Sequence, residues 1–272
     1  MAPNAPSAVD ATRYGKLVDD HGFSPTHLTA IAWVPRGARV LELGCASGYI
    51  SRRLIEDRGA EVVGVEVDPM AAAEARKVGV RVLEGSLTDP AFRASLRGDF
   101  DVVMATDVLE HLPDPAPVLA SFREWLSPTG KAIVAVPNVA TWRIRAQLFF
   151  RGDFEYQDEG ILDRTHLHFF TWETLHELVE EQGWTIEDTF IDGFDVPGFS
   201  PELFSRQDQL VERTRKLRAE GNLLTSNLAK LALKPLYQLT RTRQDVVKVL
   251  LREYPNLCAP HVMLRLAPGG RR

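Results

Sequence analysis

The run Ala38-Arg-Val-Leu-Glu-Leu-Gly-Cys-Ala-Ser-Gly48 constrains the fold of this chain more than any other stretch. Val40, Leu41 and Leu43 suit a strand from Arg39 to Leu43 that is covered on both faces, because such strands read as continuous apolar runs. The strand breaks at Gly44 into a turn, and a helix opens near Gly48. Glycine at those two places lets backbone approach a ligand with no Cβ in the way. The helix start adds unpaired N–H groups and the positive end of a dipole. A second apolar strand, Glu61-Val-Val-Gly-Val-Glu66, ends in an acid twenty-two residues after Gly44.

A strand, a glycine turn, a helix, a strand and then an acid make the nucleoside-binding half of a Rossmann-like domain, with Glu66 reaching the ribose hydroxyls. The turn discriminates between cofactors. A dinucleotide site needs G-x-G-x-x-G so that a pyrophosphate can rest on the helix N-terminus. Gly44-Cys45-Ala46-Ser47-Gly48 lacks that pattern and follows an acid, Glu42. A carboxylate there repels a pyrophosphate but pairs with an ammonium group, which argues against a dehydrogenase. S-adenosylmethionine carries an ammonium and no phosphate.

Strand and helix continue to alternate beyond Glu66, the pattern of a parallel sheet. A helix runs from Gly48 to Asp57 and stops at Gly59; later strands are read at Val80 to Leu83, Phe100 to Thr106, Lys131 to Val136, Thr185 to Ile191 and His261 to Leu266. Helices are read from Ala116 to Leu126, from Ala140 to Phe150, and from the cap Thr171 to Gly183. Asp68-Pro69 and Asp89-Pro90 each read as an N-cap with proline at the first helical position, which leaves Glu66 rather than Asp68 for the ribose. Residues 151–170 are too polar and aromatic for a core element.

At three motifs the chain resembles the class I S-adenosylmethionine-dependent methyltransferases: Val40-Leu-Glu-Leu-Gly-Cys-Ala-Ser-Gly48, Gly85-Ser86-Leu87 after the third strand, and Asp107-Val-Leu-Glu-His-Leu112 after the fourth. The resemblance covers residues 35–192. It implies an α/β, Rossmann-like, seven-stranded mostly parallel sheet with its last strand antiparallel, plus a helical insertion before that strand. It implies S-adenosyl-L-methionine as cofactor and S-adenosyl-L-homocysteine as product. Carried onto this chain, the cofactor-binding residues are Glu42, Gly44, Cys45, Ala46, Gly48, Glu66, Val67, Ser86, Leu87, Asp107 and Val108.

The domain reading is a tail and helical flap over residues 1–34, a core of 35–196 and 261–268, and a helical insertion of 197–260. In the flap, Tyr14 and His27 either face the ligand or pack the flap onto the core. The insertion reads as helices from Ser205 to Ala219 and from Leu223 to Tyr254, kinked at Pro235. Residues 206–252 hold eleven Lys and Arg against four Asp and Glu, a local charge of +7 that leaves −12 for the rest of the chain. That stretch is either a solvated helical surface or a contact face for an anionic substrate or partner. The net charge of −5 over 272 residues gives no overall basic field for nucleic acid. Cys45 and Cys258 make no disulfide framework, and Met1 to Thr12 has no apolar centre of a signal peptide, so a cytoplasmic protein without a membrane span is expected. A homodimer is compatible with this reading.

Methyl transfer needs an acceptor atom aligned with the S–CH₃ bond and, for a hydroxyl acceptor, a group that eases proton loss. Seven histidines compete. His166 and His168 lie in the loop Asp163-Arg-Thr-His-Leu-His168, and His111 lies in the motif after the fourth strand. His166 is expected as base or substrate contact, with Asp163 orienting it, and His111 as the alternative; His21, His27, His176 and His261 have no such context. Phe154, Tyr156, Phe169 and Phe170 are expected to supply an apolar wall, some of them by ordinary packing. In related ubiquinone-biosynthesis O-methyltransferases, an acid followed by Glu-His at this place is associated with a divalent ion. Asp107, Glu110 and His111 offer donors suited to Mg²⁺, yet the same residues can cap a helix start, and the expected site has no metal.

Two function classes fit these residues. The first is an enzyme that methylates a hydroxyl, less readily an amine, of a small molecule; the stretch Gly160 to Thr171 is similar to bacterial members found with sugar and cell-surface biosynthesis. The second is an accessory protein of methyltransferase fold that regulates a partner enzyme, because Val136 to Gly152 is similar to a methionine-biosynthesis accessory protein. The basic insertion stands against the second.

Overall fold

The computed structural model describes residues 22–192 and 259–269. The chain divides into two compact units. The first contains 22–139, 154–192 and 261–269 of the described residues, and the second contains 140–153 together with 259–260. Tyr14, His21, Cys258 and the basic stretch 206–252 lie outside the described residues, as does nearly all of the expected insertion.

Among the described residues, seven strands form one sheet: β1 (Arg39–Leu43), β2 (Glu61–Glu66), β3 (Arg81–Glu84), β4 (Phe100–Thr106), β5 (Leu126–Pro137), β6 (Trp184–Asp192) and β7 (His261–Pro268). Their order is β3-β2-β1-β4-β5-β7-β6. The first five run parallel, and β7 lies antiparallel between β5 and β6. The helices are α1 (Pro25–Trp33), α2 (Tyr49–Arg58), α3 (Pro69–Lys77), α4 (Pro90–Ser95), α5 (Pro115–Trp125), α6 (Trp142–Arg151) and α7 (Trp172–Glu181), with a 3₁₀ turn at Leu109–His111. The order of strands reverses between β1 and β4, and a ligand crevice opens beyond the C-terminal strand ends at such a point.

Alternation along the strands separates two buried layers. Leu41, Leu43, Val63 and Val103 pack with Phe122 and Trp125 of α5 and Leu175 of α7. Val40, Val62, Met104 and Ile133 pack on the other face with Ile31 of α1, Leu54 of α2 and Ala72 and Ala75 of α3. Glu42 alternates with Leu41 and Leu43, so it shares the face of Val40, where α2 covers it. Three Asp-Pro steps start helices in the same way: Asp68, Asp89 and Asp114 each accept the backbone N–H two residues on, at 2.8, 2.8 and 3.2 Å. The third of these was expected only as a turn.

The strand and helix boundaries agree with the sequence reading to within a few residues, with one exception. β5 begins at Leu126 rather than Lys131. The chain leaves α5 directly into extended backbone, and Phe100 of β4 pairs with Leu126 before the register shifts to Val102 and Lys131. Gly130 makes this possible, since a Cβ there would meet the Phe100 carbonyl oxygen at 2.7 Å. The second unit's α6 is capped by Thr141 and closed by Gly152 in the left-handed region. Among the described residues, no helix is long and apolar enough to cross a membrane.

Candidate active site at the C-terminal ends of the strands

The turn after β1 is built on backbone that few residues adopt. Gly44 has φ +64° and Gly48 has φ +81°. A Cβ on Gly44 would lie 2.8 Å from Val108 Cγ2, and one on Gly48 would lie 3.0 Å from Ala75 Cα. Gly48 N-caps α2 without a side-chain cap. Ala46 and Asp107 are the non-glycine residues at positive φ among the described residues, at +46° and +56°. One follows β1 and the other follows β4, the two strands that flank the reversal of strand order. Strained backbone of this kind concentrates at functional sites.

Two carboxylates frame the turn. Glu42 is 2% exposed and accepts a short hydrogen bond from the Ser51 hydroxyl of α2. Burial pushes its pKa up to about 8, against the lowering by Ser51 and with a smaller push from the Glu66 charge. Glu66 ends β2, is 5% exposed, and accepts the Ala46 N–H at 2.8 Å and those of Val67 and Asp68 at 2.8 and 2.9 Å. It therefore ties the glycine turn to the strand end. Cys45 is buried beneath the turn, and burial with the Glu42 and Glu66 charges raises its thiol far above the usual range. Val67 is exposed, while Leu87 and Val108 are buried. Ser86 pairs with the Thr88 hydroxyl at 2.7 Å.

Asp107 follows β4 and lies between two imidazoles. His27 Nε2, from α1, stands 3.5 Å from Oδ2, and His261 Nε2, from the start of β7, stands 3.7 Å from Oδ1. Burial alone would raise this carboxyl, but the hydrogen bond from His27 and the charges of His261, His27 and His111 hold it below the usual range. The sequence holds no hint of His27 beyond its place in the flap. His261 had a signal: an antiparallel last strand begins at the crevice end, where His261 pairs with Pro137 of β5.

A second cluster forms where the 3₁₀ turn meets the 161–168 loop. The Glu110 carbonyl accepts the N–H groups of Leu167 and His168, at 2.8 and 3.0 Å, and so fixes one segment to the other. Glu110 is 1% exposed, and neither of its carboxylate oxygens has a hydrogen-bond partner among the described residues. His111 and His166 meet edge to face with ring centroids 4.7 Å apart. His166 Nδ1 lies 3.0 Å from the Ile161 carbonyl, and His111 Nδ1 lies 3.3 Å from the Thr165 carbonyl. A carbonyl only accepts, so each Nδ1 carries the proton and each Nε2 keeps its lone pair. Burial lowers the pKa of both histidines, and burial together with the Asp107 and Asp163 charges raises that of Glu110. The shifts run the same way at all three groups: burial disfavours the charged form of the acid and of both imidazoles.

Asp163, expected to orient His166, is 1% exposed, and its carbonyl accepts the His166 N–H at 3.0 Å. Its Oδ1 accepts the Thr165 N–H at 2.8 Å and the Thr165 hydroxyl at 2.6 Å, and that hydroxyl stands 3.2 Å from His111 Nδ1. The His166 ring itself is set by its Nδ1–H, which donates to the Ile161 carbonyl. Phe154, Tyr156 and Phe169 form an aromatic group with centroids 5.3 to 6.0 Å apart, and Phe169 stands 6.3 Å from His166. Phe170 does not join them. It is 6% exposed and packs in the sheet core, because the pairing of Phe170 with Asn138 turns it inward. His176 stacks on Trp172 at 4.2 Å, and His168 reaches the Pro113 carbonyl at 3.2 Å. A cavity of about 410 Å³ at the other end of the sheet, walled in part by Arg36, Lys131, Glu187 and Arg265, contains none of the crevice residues.

Over 106 residues the chain is 33% identical to the ubiquinone biosynthesis O-methyltransferase of Pseudomonas aeruginosa, covering 38% of this chain and 45% of that protein. It is 29% identical over 158 residues to the ubiquinone biosynthesis O-methyltransferase of Aeromonas salmonicida, covering 56% of this chain and 65% of that one. The chain thus spans about half the length of the curated relatives it matches. A SAM-dependent methyltransferase from Archaeoglobus fulgidus shares the fold, with a TM-score of 0.53 and 16% identity over 93% of this chain and 98% of that one. The family model described as "Methyltransferase domain" matches residues 17–189, and the chain belongs to that family.

Proposed function

We propose that this chain transfers a methyl group from S-adenosylmethionine to a hydroxyl of a small molecule. The cofactor supplies an electrophilic methyl carbon when bound; the chain's residues bind, orient and exclude water. The fit to this cofactor is supported by a buried carboxylate, Glu42, beside a turn whose glycines a Cβ would obstruct. Glu42 is the group for the methionyl ammonium and Glu66 for the ribose hydroxyls. Gly44, Cys45, Ala46 and Gly48 offer turn backbone, and Val67, Ser86 and Leu87 flank the adenine. Asp107 and Val108 border the methionyl end.

The observation that carries the acceptor side is the Glu110, His111 and His166 corner, three buried or half-buried groups gathered beyond β4 with free acceptor atoms. Acceptor proton loss belongs at this corner, with His166 as the contact to the hydroxyl and His111 beside it. Asp163 acts through Thr165 on that arrangement. Phe154, Tyr156 and Phe169 wall the acceptor's apolar part. Alignment of this kind supplies roughly 7–11 kcal/mol of a barrier in favourable cases. The test is incubation with labelled cofactor and a panel of phenols, sugars and amines. His166→Ala should leave cofactor affinity intact and depress turnover. Cofactor binding without turnover on any panel member, alongside stimulation of a partner enzyme, would favour an accessory role instead.

A further inference from the structure

Asp107, Glu110 and His111, the oxygen-rich donors weighed in the sequence, are not gathered into one group of possible ion ligands among the described residues. The first of them, Asp107, is turned to His27 and His261. The third corner beside Glu110 and His111 is filled by His166, fifty-five residues on. A ring nitrogen of each histidine and a carboxylate oxygen of Glu110 all lie within 4.8 Å of one another. From these residues we infer a cation site of different chemistry: Glu110, His111 and His166 bind a first-row transition ion of the Zn²⁺ type in preference to Mg²⁺. The inference rests on the reading of this corner as the acceptor side of a methyltransferase.

Three observations support it. The Glu110 carboxylate is almost wholly buried with both oxygens unpartnered, and a buried polar group without a partner calls for an explanation such as an ion. Both histidines donate Nδ1–H to a backbone carbonyl, the outer bond that fixes a metal-binding imidazole and leaves Nε2 as ligand. Two imidazoles with one carboxylate suit zinc, iron or cobalt, whereas Mg²⁺ prefers oxygen ligands. Ligand atoms around a tetrahedral ion with bonds of about 2.1 Å stand roughly 3.4 Å apart. The corner therefore needs to close by something on the order of 1 Å, which side-chain rotation supplies. One lone pair cannot hold both an ion and a proton, so an ion here would replace a direct contact of His166 with the hydroxyl.

The test uses the full chain without an affinity tag, stripped with a chelator and then supplied with Zn²⁺, Co²⁺ or Mg²⁺. Metal per chain after gel filtration and the visible spectrum of the Co²⁺ form are the readouts. About one Zn²⁺ per chain is expected, undisturbed by excess Mg²⁺, with a Co²⁺ spectrum of imidazole ligation. His166→Ala, His111→Ala and Glu110→Gln should each weaken Zn²⁺ binding by tenfold or more, while His168→Ala should not. Calorimetry with S-adenosylhomocysteine on the same samples separates the two failures. Cofactor product bound but no ion retained, equal competition by Mg²⁺, or undiminished Zn²⁺ binding by folded His166→Ala and His111→Ala proteins would overturn the cation site alone. Absence of product binding would instead sink the methyl-transfer reading.

Discussion

Cofactor binding should release a proton from Glu42. With its pKa at about 8, this buried side chain is protonated in the free protein at pH 7. A cationic ammonium brought against it favours the charged form. If the bound state holds Glu42 ionised, only about 9% of free protein at pH 7 and about 1% at pH 6 is ready to bind. Affinity should then fall roughly ninefold from pH 7 to pH 6, about 1.3 kcal/mol. Titrations between pH 6 and 7 keep most of the ligand's own ammonium charged, since an α-amino group titrates at about 7.7–8.0. Calorimetry with S-adenosylhomocysteine in buffers of different ionisation enthalpy would report about 0.9 proton released per site at pH 7. Glu42→Gln keeps the shape and the Ser51 neighbour, and should bind more weakly with no proton release. Equal affinity of the wild type at pH 6 and 7, with heats independent of buffer, would refute both the raised pKa and the ammonium pairing.

The same shift governs the free protein's stability. A carboxyl whose folded pKa is raised contributes stability that is complete below about 4.5 and lost as pH climbs through 8, here up to about 5 kcal/mol; denaturant titrations of the wild type should show that slope and Glu42→Gln should flatten it. Gly48→Ala forces a left-handed residue with its Cβ against Ala75, and should cost about 1–3 kcal/mol in thermal unfolding, with weakened cofactor binding. At Asp107, φ +56° suits Asn better than Ala, so Asp107→Ala should be less stable than Asp107→Asn by about 1 kcal/mol in denaturant unfolding. Phe122 is fully buried between Trp125 and Trp184, and Phe122→Ala should lose about 3–5 kcal/mol in chemical denaturation without touching the crevice.

The sheet was legible because its information is local. Apolar runs such as Val40 to Leu43 and Val62 to Val65 mark buried strands, and the Asp-Pro steps at 68 and 89 mark helix starts whatever surrounds them. The start of β5 at Leu126 was not legible, since Ser127-Pro128 reads as a stop and only the pairing of Leu126 with Phe100 makes it a strand. On the site, Glu42, Glu66 and the turn glycines follow from the strand–turn–helix pattern. The partners of Asp107 do not, because His27 and His261 lie eighty and more residues away, one brought in by α1 and the other by the antiparallel closure of β7. Asp163 illustrates a finer limit: sequence proximity pairs it with His166, whose N–H its carbonyl accepts, while the side-chain bonds to Thr165 follow from the turn geometry.

One main-chain oxygen separates what in this site can drift from what cannot. Because the carbonyl of Glu110 clasps the amides of Leu167 and His168, the backbone that carries His166 is tied to the turn after β4 that carries His111. Phe154 and Tyr156 stand outside that clasp, 38% and 47% exposed. If the proposed acceptor site stands, drift at this aromatic rim would change the range of molecules admitted while the backbone clasp between the two histidine segments stays put. A lineage built on this arrangement would diversify in what it accepts sooner than in what it does.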